Sequence, residues 1–241
     1  MRVEVKNLLT QIDCTHGRKV SIETCIECGL CYPKQLLAAI LKPLTYWTDD
    51  ATLRVTQLIG CLRKNYIDRI SGAHVRLGEA YILSRGSLIH YRLLRFFPRR
   101  ELEIRADFNG IQVQGHIDAM DEDDNLYELK TVAWMPKKPY GHHVQQLHSY
   151  YTMLEMNGVP VGHLRLIYAT MTEIKVVEVQ PISIHAWISK RARILSKALR
   201  ERIPPSVDSE VEDWRCERCA HKTLCSEMRI KAESPPATPF S

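Results

Sequence analysis

Apolar residues recur along this chain at two periods, and the switches between them lay out the elements. Pro33 opens an apolar stretch that ends near Leu44, and from Thr52 a second helical pattern puts Leu58, Ile59, Leu62 and Tyr66 on one face. Helices are therefore expected to dominate the first third. A further helical segment, roughly 74–97, stops at Pro98, because a proline ring disfavours α backbone in the residue before it. Next, Leu102, Ile104, Ala106 and Phe108 alternate with Glu101, Glu103, Arg105 and Asp107, the mark of a half-buried strand. Asn109-Gly110 is a two-residue hairpin signal, since both residues tolerate positive φ; it leads into IQVQGHIDAM, the acidic turn DEDDN and then LYELKTV. Three antiparallel strands result. A helix from about 142 to 156 ends at Asn157-Gly158, HLRLIYAT and IKVVEVQ read as two more strands, and 183–202 reads as a helix. The expected class is α/β, with a mixed sheet between helices.

Length and composition sharpen this picture. A chain of 241 residues can fill one core and carry an appended lobe. The divisions expected are an N-terminal Cys-containing extension at 1–51, a main domain at 52–205, a Cys-rich lobe at 206–230 and a disordered tail at 231–241, where ESPPATPFS is too polar and Pro-rich to pack. Charges such as Arg2, Glu4 and Lys6 break any apolar leader, and no apolar run is long enough to cross a bilayer, so a cytoplasmic protein with no membrane partner is expected. In a reducing compartment eight cysteines are metal ligands or thiols before they are a disulfide framework, proteins of hyperthermophiles excepted. The net charge of +5 is modest, yet Arg92, Arg95, Arg99, Arg100 and Arg105 crowd one region and the stretch 190–202 forms a second basic run. Either run alone reads as a solvated face. Together they read as a nucleic-acid footprint if an active site lies between them.

The turn DEDDN supplies that site. A hairpin symmetrical about Asp123 sets Asp118 opposite Glu128, and like charges directly opposed destabilise a sheet unless something positive lies between them. A hard divalent cation is the natural filler. Lys130 shares the face of Glu128 while Leu129 points the other way, so two carboxylates, a cation and an ammonium gather at one point, an arrangement suited to phosphodiester hydrolysis. An isolated E-x-K is common on exposed strands. Here it is joined by His90 on the preceding helix and by Gln146 and Tyr150, spaced i,i+4 on the following one.

The set His90, GHID with Asp118, ELK with Glu128 and Lys130, then Gln146 and Tyr150, resembles the RecB-type branch of the PD-(D/E)XK nuclease superfamily over roughly residues 52 to 225. It is most similar to the CRISPR-associated RecB-like exonucleases, the fourth family of CRISPR-associated proteins. The resemblance implies a restriction-endonuclease-like core with N-terminal helices and a C-terminal iron–sulfur lobe. It implies that His90, Asp118, Glu128 and the main-chain carbonyl of Leu129 ligate Mn2+ or Mg2+, that Lys130 is the catalytic lysine, and that Gln146 and Tyr150 support it and contact DNA. It implies too that Cys61, Cys216, Cys219 and Cys225 hold an iron–sulfur cluster, 4Fe–4S before 2Fe–2S. Partners on this reading are single-stranded DNA or DNA ends and the proteins of CRISPR adaptation.

By their own chemistry the cysteines leave more open. C-x2-C-x5-C from 216 to 225 suits iron–sulfur and structural zinc equally, and His221 could complete a zinc site with Cys61 left as a buried thiol. The stretch TCIECGLC adds Cys25, Cys28 and Cys31, which with Cys14 make a second possible quartet: a metal site, a thiol or disulfide group, or the true cluster. The function expected is a metal-dependent exonuclease on single-stranded DNA ends that prepares fragments for CRISPR spacer acquisition. The alternatives are an inactive or weakly active nuclease fold that binds DNA and docks onto the CRISPR integrase, and a zinc-bearing nucleic-acid binder.

Overall fold

The structure, a computed structural model, describes residues 6–7, 9–14, 18–42, 47–48, 52–206, 216–217 and 219–226. In chain order the elements are β1 (Lys6–Asn7), β2 (Leu9–Asp13), β3 (Lys19–Ser21), α1 (Ile22–Cys28), α2 (Lys34–Leu41), β4 (Trp47–Thr48), β5 (Leu53–Arg54), α3 (Val55–Ile59), α4 (Leu62–Ser71), β6 (Ala73–Arg76), α5 (Leu77–Leu94), β7 (Arg99–Asp107), β8 (Gln112–Met120), β9 (Leu126–Thr131), α6 (Gly141–Met156), β10 (Leu164–Ala169), β11 (Ile174–Val179) and α7 (His185–Glu201). The tail expected over 231–241 lies outside the described residues.

The mixed α/β architecture expected from the sequence is what the fold shows. Strands β11, β10, β9, β8 and β5 form a sheet in that order, with β7 paired along β8. The β7–β8 and β8–β9 pairs are antiparallel, and β9–β10 is parallel, joined by a crossover through α6. A parallel neighbour needs such a crossover, and the helix it carries covers one face. On that face Leu147, Tyr150 and Met153 of α6 meet Ile188, Ala192 and Leu195 of α7, Leu58 of α3 and the sheet residues Val113, Ile117, Leu126 and Leu166. On the other face Leu94 of α5 packs on Ala119, Tyr127, Leu129 and Ala169. Along β9 the two layers take alternate residues, as the pleat requires.

The first third departs from the helical expectation. The pattern from Thr52 is split, because Gly60 is extended and Cys61 begins a new helix as its N-cap. The helix expected over 74–97 starts only at Leu77, since Gly72 in a positive-φ turn releases 73–76 to pair in parallel with β2. The basic run at 190–202 lies on α7, where Arg191 is buried and donates to the carbonyls of Leu58 and of Gly60 (2.6 Å). That guanidinium ties helices together rather than facing phosphate. No helix among the described residues is long and apolar enough to cross a membrane.

Candidate active site

The site forms at a fork in the sheet. Strand β8 pairs with β5 near its start, through Val113 and Gln114, and with β9 at its end, through Ala119↔Tyr127 and Met120↔Leu126. This is the register symmetrical about Asp123. Asp121 fixes it: one carboxylate oxygen accepts the N–H groups of Asp123 (3.0 Å) and Asn125 (2.9 Å), the other the Asn125 amide (2.9 Å) and the Tyr127 hydroxyl (2.8 Å). At the next step the ladder gives way. Asp118 Oδ2 accepts the Leu129 N–H at 2.7 Å, so a side-chain carboxylate stands where a strand carbonyl would. The alternation of β8 reverses there too: Ile117 packs in the layer under α6 and Ala119 in the layer under α5.

Glu128 is 1 % exposed on the α6 side of the fork. Its Oε1 lies 2.7 Å from Lys130 Nζ, while its Oε2 is buried without a hydrogen-bond partner. Lys130 donates to Gln146 Oε1 at 2.8 Å, and Gln146 Nε2 donates to the Tyr150 hydroxyl at 2.9 Å. Tyr150 is 2 % exposed. It therefore steadies Gln146 from within the core, and the DNA contact expected of it from the sequence does not fit that burial. From α5, His90 Nδ1 reaches within 3.6 Å of Asp118 Oδ2, too long for a hydrogen bond and close enough for ionic attraction.

Burial raises the Glu128 pKa; Lys130 opposes the rise and Asp118 adds to it, leaving the group at about 7. Burial also presses His90 towards the neutral form, but the Asp118 and Glu128 carboxylates outweigh it and its pKa is raised. A carboxyl whose folded pKa of about 7 exceeds its ordinary 4.5 contributes stability that is fully present below 4.5 and is lost as pH rises through 7. Metal-free protein is thus expected to melt at falling temperature as pH is raised across that window, and Glu128→Gln to flatten the trend; calorimetry in chelator over that range is the check.

Sequence reasoning missed two residues. Glu101 interrupts β7 with a left-handed backbone (φ 49), between the pairs Arg100↔Ala119 and Leu102↔Ile117, which sets it opposite Asp118. Its pKa is raised by burial and then by Asp118. Symmetry about Asn109-Gly110, the reasoning used for the other hairpin, would have found it. The second is Gly115. A Cβ there would stand 2.6 Å from Tyr150 Cε1 and 3.3 Å from Ile104 Cγ2, so the bare backbone is what lets the Tyr150 ring lie against β8. Gly115→Ala is expected to destabilise the protein by about 1–3 kcal/mol. Because the displaced ring anchors Gln146 and through it Lys130, activity should fall beyond what the unfolded fraction explains. Urea titration beside cleavage rates tests both.

A cleft of ≈ 560 Å³ opens between α5 and the sheet, with His90, Glu101, Asp118, Arg100 and Tyr91 on its walls; it reaches the site from the Asp118 side, and Glu128 and Lys130 do not line it. Carboxylate oxygens with one imidazole nitrogen are a donor set for a divalent cation, and the partnerless Glu128 oxygen is the atom such an ion would satisfy. Among the described residues no three His, Cys, Asp or Glu side chains already converge on one point. The fit is chemical, and a cation would compete with Lys130 for Glu128.

The C-terminal cysteines face the start of α4. Burial pushes the Cys219 thiol up, eased by a backbone bond to His221 and by Lys64, and Cys61 adds a smaller upward push. Arg63 Nη1 stands 3.9 Å from Cys225 Sγ and its Nε donates to the Pro205 carbonyl at 2.7 Å. The Cys219 N–H donates to the Cys216 carbonyl at 3.2 Å, which ties the exposed Cys216 to this group through the backbone. His221, the alternative zinc ligand, instead lies buried with its Nε2 2.6 Å from Asp68 Oδ1.

The family model of the PD-(D/E)XK nuclease superfamily matches residues 89–226. Those residues run from the turn of α5 that carries His90 to the last of the C-terminal cysteines. Among solved structures, the crystal structure of SSO0001 superposes with a TM-score of 0.60 at 20 % identity, covering 79 % of this chain and 93 % of that one. An alkaline exonuclease from Laribacter hongkongensis matches with a TM-score of 0.40 at 12 % identity, over 64 % of this chain and 90 % of its own. No curated protein matches the chain by sequence.

Proposed function

We propose, from the premise that this chain belongs to the PD-(D/E)XK nuclease superfamily, that it is a divalent-metal-dependent exonuclease acting on single-stranded DNA ends. The observation that carries the reading is the buried Glu128 carboxylate, paired with Lys130 and repelled by Asp118, with one oxygen left unpartnered. His90, Asp118, Glu128 and the Leu129 carbonyl would hold Mn2+ or Mg2+. When bound, the ion supplies Lewis acidity towards a phosphoryl oxygen and lowers the pKa of water. The remaining work falls to the chain. Gln146, itself fixed by Tyr150, holds the Lys130 ammonium in place, ready to offset charge that develops on the scissile phosphate. Arg100 adds positive charge on the cleft wall, while Ile82, Leu83 and the 72 % exposed Tyr91 offer apolar and aromatic surface. Unpaired bases can stack on such a surface and a duplex cannot, which supports single-stranded substrate.

The finer reading adds an iron–sulfur cluster, 4Fe–4S before 2Fe–2S, on Cys61, Cys216, Cys219 and Cys225, and a role with CRISPR adaptation proteins in preparing fragments for spacer acquisition. The upward push that Cys61 exerts on the Cys219 thiol supports a ligand set that includes Cys61 rather than leaving it an ordinary buried thiol. The CRISPR role rests on the similarity of the motif set.

End-labelled single-stranded DNA incubated with chelator, Mg2+ or Mn2+ tests the activity. Progressive shortening is expected with metal only, faster with Mn2+ because an imidazole nitrogen suits it better than the strictly oxygen-seeking Mg2+. His90→Ala should weaken the response to Mn2+. If Mg2+ proves superior and His90→Ala is silent, His90 is structural; if neither ion supports cleavage while DNA still binds, the fold is a binding module.

A further inference from the structure

Four cysteines that take no part in the chemistry above come together in the N-terminal part of the fold. Cys14 follows β2, where its N–H donates to the Arg18 carbonyl at 2.8 Å as the β2–β3 pair closes. Cys25 and Cys28 lie one turn apart on α1, whose N-cap Ser21 accepts the Thr24 N–H. Gly29 caps the other end of α1 in the left-handed conformation (φ 58), and Cys31 follows in the turn it makes. The left-handed backbone is what favours glycine there, since a Cβ would meet only the movable side chain of the exposed Lys34. All four sulfur-bearing residues line one cavity of ≈ 90 Å³, backed by Ile12 and Leu37.

Proximity registers at Cys25. Burial raises the Cys25 pKa first, and then Cys14, Cys31 and Cys28 each raise it further. Little else among the described residues holds this part: the cluster that β2, α1, α2 and the start of α5 share has, among them, Ile12, Ile22, Leu37, Leu41 and Ala80 as its buried members. A core so small is ordinarily supplemented by a disulfide or a metal. None of the eight cysteines, all of them among the described residues, is in a disulfide.

We propose that Cys14, Cys25, Cys28 and Cys31 form a second, structural metal site, a tetrathiolate for a thiophilic divalent cation of the zinc class, which staples the β2–β3 hairpin to α1 and the turn after it. A C-x2-C pair joined by two further thiolates from neighbouring elements supplies the four ligands of a closed zinc site, and four protein ligands leave no position open for a reaction; the run of three at this spacing suits an iron–sulfur cluster as well. The thiols line the cavity rather than meet at its centre. Side-chain rotation must bring them to Zn–S distances of about 2.3 Å. A single ion needs less room than a four-iron cube, and the cavity is small, which favours zinc over a second cluster.

The test is metal content of the full-length protein, purified from zinc-supplemented culture, as wild type, Cys25→Ser/Cys28→Ser and Cys216→Ser/Cys219→Ser. Wild type should carry about one zinc per chain, released to a chromogenic chelator when a mercurial titrates the thiols. The first double variant should lose that zinc while its visible absorbance and iron are unchanged, and the second should keep it. Should the first variant fail to fold, wild type exchanged with Co2+ should show thiolate-to-cobalt charge transfer and tetrahedral d–d bands, and the second variant should show them equally. Wild type without zinc and without those bands overturns the proposal. So does zinc that survives the first double substitution, or iron lost by it in place of zinc.

Discussion

Alanine at Asp118, Glu128 or Lys130 is expected to remove cleavage almost entirely, by at least 10²–10³-fold, roughly the scale of deleting one charge-stabilising group from an active site. The three losses have different physical origins, so stability should separate them. Asp118→Ala also leaves the Leu129 N–H without its acceptor at the fork and is expected to cost about 1–3 kcal/mol. Asp118→Asn keeps an acceptor oxygen there, and should restore most of the stability with none of the activity. Lys130→Met keeps the length of the side chain and removes the ammonium between Glu128 and Gln146. Single-turnover cleavage measured beside urea denaturation reads both axes, and full activity in any one alanine variant sinks the assignment.

Replacing Cys61, Cys216, Cys219 or Cys225 by alanine is expected to bleach the protein and lower its melting temperature by several degrees or more. On the proposed reading the cluster joins the N-cap of α4 to a segment that follows the whole sheet in sequence, so its loss releases ligation energy and a long chain closure together. Cleavage should fade only as far as the folded fraction does, since hydrolysis transfers no electrons. Visible spectra and iron analysis of the four variants decide it; colour that persists in any of them means that cysteine is not a ligand.

What the sequence made legible was whatever a local rule governs. Asn109 and Gly110 have φ of 59° and 82°, the double positive φ of a tight hairpin turn, and the Asp123-centred register holds at the two pairs that close the hairpin. Periodicity placed α6, β10, β11 and α7 within about two residues; β10 and α7 each bury a clear face, whereas β11 is an edge strand that buries no residue fully and is marked by its β-branched sequence alone. What stayed hidden depends on partners distant in sequence. Nothing near Asp118 announces that its carboxylate replaces a strand carbonyl and parts β8 from β9. The need for Gly115 arises from a ring on α6, and β6 is a strand only because β2 lies beside it. Of the residues that the sequence marks, Glu128, Lys130, Gln146 and Tyr150 follow one another in a chain of contacts and His90 stands beside Asp118; Glu101 was within reach of the same register reasoning.

The buried pair of His221 with Asp68, 153 positions apart, and the bond from Arg63 to the Pro205 carbonyl, 142 apart, have a consequence in time. Both α4 residues leave the ribosome long before their partners exist. At about 5–20 residues per second, Asp68 waits roughly 8–30 s for His221. Through that interval helix α4 has a carboxylate and a guanidinium ready for burial but nothing to bury them against, so the growing chain stays open on this side. The segment after α7 closes this side of the protein, and a nascent chain that stalls before it would expose the unfinished face of α4 to chaperones and proteases.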